Sequence, residues 1–262
     1  MPNGFSINGV KVNEHFKKDK LVFFLPNSFT ALNIGCGFVA ILLSMQGEFY
    51  KSCLLIILGA IFDSVDGRVA RLTGSQSSFG EQFDSLSDLI SFGIAPSIIF
   101  YNKFLLDHGR VGLVVSFLFL LCGALRLARF NANIDKVQSD YFQGLPIPGA
   151  ASAIIGYILV SIEFPHILSN KFITIPYILF YAILMISNIP FPSFKNSEWV
   201  RTNKRKVFFL IIVIVCLLFI YEELMIGSFI SLYVFGSIIY RLTHKDRFEN
   251  IFDWEDVSDD KI

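Results

Sequence analysis

The stretch Asp63-Ser64-Val65-Asp66-Gly67-Arg68-Val69-Ala70-Arg71-Leu72-Thr73-Gly74-Ser75-Gln76-Ser77-Ser78-Phe79-Gly80-Glu81-Gln82-Phe83-Asp84-Ser85-Leu86-Ser87-Asp88 sets four aspartates between two apolar runs. Asp63 and Asp66 are three apart at the expected end of one helix. Asp84 and Asp88 are four apart at the expected start of the next, so each pair shares a helix face. Four carboxylates can thus converge across a short helix-loop-helix. At the edge of lipid they repel one another and cost several kcal/mol in desolvation unless a cation neutralises them. Hard oxygen donors in this number suit one or two Mg²⁺ or Mn²⁺ ions, which also hold substrate phosphates. Gly67 removes a side chain where a ligand approaches the backbone, and Arg71 offers a fork for phosphate oxygens. Ser77 and Gly80 supply a polar turn and a close-approach point. The plainer alternative is that the aspartates cap helices and pair with Arg68 and Arg71 in an ordinary interfacial loop.

The rest of the chain supplies the membrane. Of 262 residues, 53% are hydrophobic and 17% charged, against roughly 25% charged in soluble domains. Apolar runs near span length recur at approximately 29–45, 52–72, 84–102, 111–131, 150–164, 174–192, 207–221 and 225–240, which predicts an all-α integral membrane protein of about eight helices. The polar segment 1–25 is expected to be juxtamembrane, 26–241 the membrane domain and 242–262 a tail, with its acidic end (Asp253, Glu255, Asp256, Asp259, Asp260) disordered. No small-residue cleavage site follows the first apolar stretch, so it does not read as a signal peptide.

Counting Lys and Arg in alternate connections puts 18 on one side and 4 on the other, so both termini and the aspartate loop are expected in the cytoplasm. Lys204, Arg205 and Lys206 are expected at anionic lipid. A net charge of zero, with basic residues only in short clusters, argues against a nucleic-acid partner. Cys36, Cys53, Cys122 and Cys216 lie in apolar runs without CxxC spacing. His15, His108, His166 and His244 are scattered, so neither a disulfide scaffold nor a zinc site is expected. There is no GxSxG elbow, Walker loop or Cys/His pair.

Two smaller groups carry two readings each. Asn27, Thr30 and Asn33 either hydrogen-bond a nucleotide or its phosphates, or serve as helix cap and interhelical contacts. Arg126 and Arg129 share a face at the end of the fourth span and either meet an anion or snorkel to the interface.

The pattern Asp63-x₂-Asp66-Gly67-x₂-Ala70-Arg71-x₈-Gly80-x₃-Asp84-x₃-Asp88 matches, without a departure, the signature of the CDP-alcohol phosphotransferase family, which the chain therefore resembles. The segments Pro26-Asn27-Ser28-Phe29-Thr30-Ala31-Leu32-Asn33, Phe79 to Leu86, Ser91-Phe92-Gly93-Ile94-Ala95-Pro96, Arg126-Leu127-Ala128-Arg129-Phe130-Asn131 and Gly144 to Ala150 look like its phosphatidylserine synthase branch. The resemblance covers roughly residues 26–150. It implies a six-helix core opening to the cytoplasm and two divalent cations held by Asp63, Asp66 and Asp84. Asp88 would complete the site and act as general base, and Gly67, Arg71 and Ser77 would contact the cytidine diphosphate. Thr30 and Asn33 join them as candidates.

By the same resemblance the donor is CDP-diacylglycerol and the acceptor L-serine, with choline, inositol or glycerol phosphate as alternatives and an ion-coupled transporter as the rival of another class. Serine's carboxylate calls for a cation near Asp88, which Arg126 or Arg129 would supply, with Asn131 as a polar contact. The family also suggests a homodimer, and the compact chain looks like a protein of a bacterial inner membrane.

Overall fold

The computed structural model describes residues 9–133, 141–168, 170–192, 203 and 222–243. Long helices dominate these residues: α1 (Gly9–Met45), α2 (Phe49–Thr73), α3 (Ser78–Asp88), α4 (Ala95–Phe100), α5 (Gly109–Ala132), α6 (Ile147–Glu163), the single turn α7 (Pro165–Leu168), α8 (Lys171–Ile186) and α9 (Glu222–Thr243). Three segments, Phe24–Met45, Ser78–Ala132 and Leu224–Thr243, are long and apolar enough to cross a membrane, and Ile147–Glu163 and Phe172–Ile186 are shorter apolar helices. The protein is an all-α integral membrane protein. The expected span at 207–221, the Lys204–Lys206 cluster and the acidic tail lie outside the described residues.

Three expectations change in detail. α1 begins at Gly9, well before the apolar run, and passes through Pro26; Asn27, Thr30 and Asn33 are therefore mid-helix rather than at a cap. α3 begins at Ser78 because Ser77, in extended conformation, accepts the Gly80 amide at 3.1 Å and caps the helix there. Asp84 consequently sits well inside α3, not at its start. The sixth apolar run, expected to be helical over 174–192, ends its helix at Ile186, after which Pro190–Pro192 forms a strand, β2, antiparallel to β1 (Tyr141–Gln143) with Phe142 opposite Phe191.

The α2–α3 connection is short and locally determined. Gly74 takes the left-handed conformation (φ 64°) that ends α2, and the Ser75 amide donates to the Ala70 carbonyl at 3.0 Å. Between α3 and α4, Leu89–Ile94 widens into π turns, as does Tyr101–Leu105. Such widenings recur at functional sites, and here the first one begins at the residue after Asp88.

Packing fixes where these elements meet. α1 lies against α2, α5 against α8, and α9 against α6. α6 is the central helix, with Ile147, Ala150, Ile154, Ile155, Ile158 and Leu159 all buried. Phe92, Phe100, Phe119 and Tyr181 fill the space around it. Val111, Val114, Phe117, Leu121 and Leu125 on α5, and Leu232, Phe235 and Ile239 on α9, are exposed, as lipid-facing positions should be. α1 approaches the π segment closely: a Cβ at Gly37 would lie 2.8 Å from Ser91 Oγ. Ser91 Oγ donates to the Asn33 carbonyl at 2.9 Å and Ser87 Oγ to that of Thr30 at 3.2 Å.

Candidate active site

Antiparallel packing of α1 on α2, with α3 packed on α1, brings the aspartates of α2 and α3 together. One carboxylate oxygen each from Asp63, Asp66 and Asp84 lies within 4.8 Å of the others, and Asp88, one turn further along α3, adjoins Asp63. Thr30 Oγ1 donates to Asp66 Oδ2 at 2.7 Å, orienting that carboxylate from α1. Oδ1 of Asp84 and Oδ1 of Asp88 are buried without a hydrogen-bond partner. Among the described residues the salt bridge found is Lys51 to Glu48, so Arg68 and Arg71 do not neutralise the aspartates. The plain capping-and-pairing alternative thus fails on geometry.

Buried carboxylate oxygens without partners are costly, and acid groups crowded together compound the cost. A divalent cation, taking hard oxygen ligands, removes both penalties. The donor set fits such an ion: Asp63, Asp66 and Asp84 can hold it, with Asp88 adjoining.

Beside the cluster a cleft of about 220 Å³ opens between the middle of α1, the end of α2 and the start of α3, lined by Thr30, Asp66, Gly67, Arg71, Ser77 and Asp84 among others. It therefore gathers most of the candidates for the nucleotide and its phosphates. At Gly67 the atom nearest to an added Cβ is Arg71 Nη1, 3.8 Å away, so the missing side chain leaves the backbone open to a ligand. Asn27, Gln76 and Glu81 also line the cleft. Gln76 precedes the helix-capping Ser77 and Glu81 follows the signature Gly80. Asn33 is not in the cleft. It is fully buried one turn further along α1, with its Oδ1 2.8 Å from where a Cβ on Gly59 would be.

α5 approaches the cluster from the α3 side. Arg126 is 6% exposed and its Nε has no partner. Its guanidinium rests over the Phe130 ring at 5.3 Å, and its charge acts on Asp88. Asn131 Nδ2 donates to Ser85 Oγ at 3.0 Å, tying α5 to α3 between the two aspartates of that helix. Arg129 instead turns to the backbone: Nη2 donates to Gln143 O at 2.9 Å and Met185 O at 3.1 Å, and Nη1 to Ile186 O at 3.0 Å.

The sequence profile of the CDP-alcohol phosphatidyltransferases matches residues 23–191, a stretch that contains every aspartate of the cluster, the cleft and α5. The chain belongs to the CDP-alcohol phosphatidyltransferase family. Among curated CDP-alcohol phosphatidyltransferase relatives, the CDP-diacylglycerol–serine O-phosphatidyltransferase of Helicobacter pylori (strain 26695) is 37% identical over 219 residues, covering 83% of this chain and 91% of that one. An archaetidylserine synthase of Methanothermobacter thermautotrophicus is 42% identical over 170 residues, 64% of this chain and 69% of its own. The Methanocaldococcus jannaschii CDP-diacylglycerol–serine O-phosphatidyltransferase is 41% identical over 171 residues, 65% of this chain and 75% of that one. Membership in this family removes the transporter reading.

Proposed function

We propose that the protein transfers the phosphatidyl group of CDP-diacylglycerol to L-serine, releasing CMP and forming phosphatidylserine. The observation that carries this reading is the junction of the unpaired aspartate cluster with a cleft bearing Gly67, Arg71 and Ser77, in a chain whose relatives are named for serine transfer. Asp63, Asp66, Asp84 and Asp88 would hold two divalent cations, Mg²⁺ or Mn²⁺, which would supply charge screening and polarisation at the diphosphate.

The remaining work falls to side chains. Arg71 and the open backbone at Gly67 bind phosphate oxygens, and Thr30 and Ser77 line the same cleft. The serine hydroxyl oxygen attacks the phosphorus that carries diacylglycerol, in line with the bond to the CMP phosphate, which breaks with its electron pair leaving on CMP. Asp88 takes the hydroxyl proton. Arg126, beside Asp88, binds the serine carboxylate, with Asn131 as a further polar contact.

The Lys and Arg asymmetry supports an inner-membrane protein with both termini and the site on the cytoplasmic side, where nucleotide and serine are found. A homodimer is the expected assembly. The test is CMP release by purified protein given CDP-diacylglycerol and Mn²⁺ or Mg²⁺, with serine, glycerol phosphate, inositol and choline in parallel. Serine-dependent CMP release with phosphatidylserine as product is expected; activity with another alcohol and none with serine overturns the acceptor assignment.

A further inference from the structure

Arg129 lies one helical turn after Arg126, yet its surroundings are of another kind. Its Nη1 donates to Ile186 O and to Asn188 Oδ1 (3.5 Å), and its Nη2 to Gln143 O, Met185 O and, at 3.4 Å, Ser187 O. Three of these acceptors belong to the C-terminal end of α8, where carbonyls lack intrahelical donors and the helix dipole is negative. The fourth carbonyl is that of Gln143 in β1. Gln143 Nε2 donates in turn to Asn188 Oδ1 at 3.0 Å, and the amides of Gly144 and Leu145 donate to Ile189 O at 2.9 Å and Leu184 O at 3.0 Å. One guanidinium thus fastens the end of α5 to a shelf made of β1 and the end of α8.

Gly144 makes that fastening possible. Its φ is +74°, and a Cβ there would collide with Met185 O and come within 2.8 Å of Arg129 Nη2. A second small cavity, separate from the nucleotide cleft, is enclosed where the shelf meets α5, lined by Arg126, Arg129, Phe130, Asn133, Phe142 and Gln143. Arg126, whose Nε is buried and unpartnered, is among its lining residues.

We infer that Arg129 is a positioning residue that, with Gly144, clamps β1 and the α8 end onto α5 and so holds Arg126 and Asn131 in place for the acceptor, while binding no acceptor itself. This rests on the serine-transfer reading for the identity of the acceptor only. Both terminal nitrogens of Arg129 already face protein oxygens, so a carboxylate arriving there would have to displace backbone carbonyls. Arg126, with its Nε buried and unpartnered, is free to take it.

The experiment compares Arg129→Ala, Arg129→Lys, Gly144→Ala and the double variant Arg129→Ala/Gly144→Ala, measuring the dependence of CMP release on serine and on CDP-diacylglycerol separately. Arg129→Ala and Gly144→Ala are each expected to raise the KM for serine roughly 10- to 100-fold, as small misplacements of binding groups do. The KM for CDP-diacylglycerol should stay within about twofold, because the nucleotide cleft is untouched. The double variant should be no worse than the worse single one, since both changes release the same clamp. Arg129→Lys, with three donors on a flexible stem, should fall between wild type and Arg129→Ala.

Gly144→Ala removes no charge and no donor. A wild-type serine KM in that variant, with the KM raised in Arg129→Ala, would make Arg129 a direct ligand and overturn the inference. Equal losses towards both substrates would also overturn it, by showing general damage. If Arg129→Ala does not accumulate in membranes, Arg129→Lys and Gly144→Ala carry the test, and wild-type serine KM in both overturns it. Wild-type protein that uses another alcohol but not serine would fail the functional reading alone, and the same variants are then compared with that alcohol.

Discussion

The two walls of the site handle charge in opposite ways. On the α2–α3 side four carboxylates are crowded together, and Asp84 and Asp88 keep buried oxygens without partners. On the α5–α8 side Arg129 is surrounded by carbonyls and its terminal nitrogens are taken up. Groups left unsatisfied in a low-dielectric setting are stable only with a ligand, whereas groups satisfied internally hold shape. Arg126 stands between these cases, buried by its neighbours but with Nε open. The contrast separates residues that meet substrate or metal from residues that build the place where they meet it.

The largest effect expected from breaking this contrast lies on the carboxylate wall. Asp63→Asn, Asp66→Asn or Asp84→Asn should each abolish measurable metal-dependent CMP release, because an amide is a poorer ligand and the charge that draws the ion falls. In the presence of a chelator the same variants should melt at a higher temperature than wild type, since one source of carboxylate repulsion is gone. Full turnover at ordinary metal concentration, or a lower melting temperature with chelator, would show that the aspartates do not form a repulsive cluster relieved by metal.

Next in size is Asp88→Asn, expected to lose about 10²–10⁴-fold in rate while still binding CDP-diacylglycerol. Binding of the labelled donor to purified variant, measured beside turnover, checks this. Lost donor binding would recast Asp88 as chiefly a metal ligand.

Arg126→Ala comes third. Its serine KM should rise roughly 100-fold, in line with the loss of a charge-assisted contact to a carboxylate, with the donor KM little changed. A donor KM that rises instead would move Arg126 to the phosphate side of the reaction.

The smallest expected effect is that of Thr30→Val, which removes the 2.7 Å hydrogen bond to Asp66 and keeps the shape. The metal concentration for half-maximal rate should rise about tenfold, the scale of a lost outer contact to a metal ligand. An unchanged metal requirement would mean that α1 merely packs against the cluster.

What could be read from the chain alone was whatever depends on local spacing. The aspartate pairs, Gly67, Arg71 and the turn before Gly80 sit within one helix-loop-helix, and the structure brings them together as their three- and four-residue spacings require. Two local features run ahead of the apolar pattern: Ser77 starts α3 earlier than its apolar run, which moves Asp84 into the helix interior, and the polar residues from Gly9 onward continue α1 without an apolar stripe to announce it. Asn33 lies in the same motif as Thr30, but only the register of α1 on α2 decides that Thr30 reaches Asp66 while Asn33 is buried beside Gly59. Arg129 is harder still. Its partners at Gln143 and at Met185 to Ser187 are far away in the chain, joined through a strand pair that three-residue segments do not advertise. Two arginines at helical spacing look equivalent until the carbonyls around one of them are known.

The central claim is that the carboxylate wall is held for divalent cations. Its most direct measurement is Mn²⁺ binding to purified protein in detergent, followed by electron paramagnetic resonance and compared with Asp66→Asn and Asp84→Asn. Two ions bound per wild-type chain, with weakened or lost binding in both variants, is the predicted result. Binding that is the same in wild type and variants, or absent from wild type with CDP-diacylglycerol present, would contradict the account.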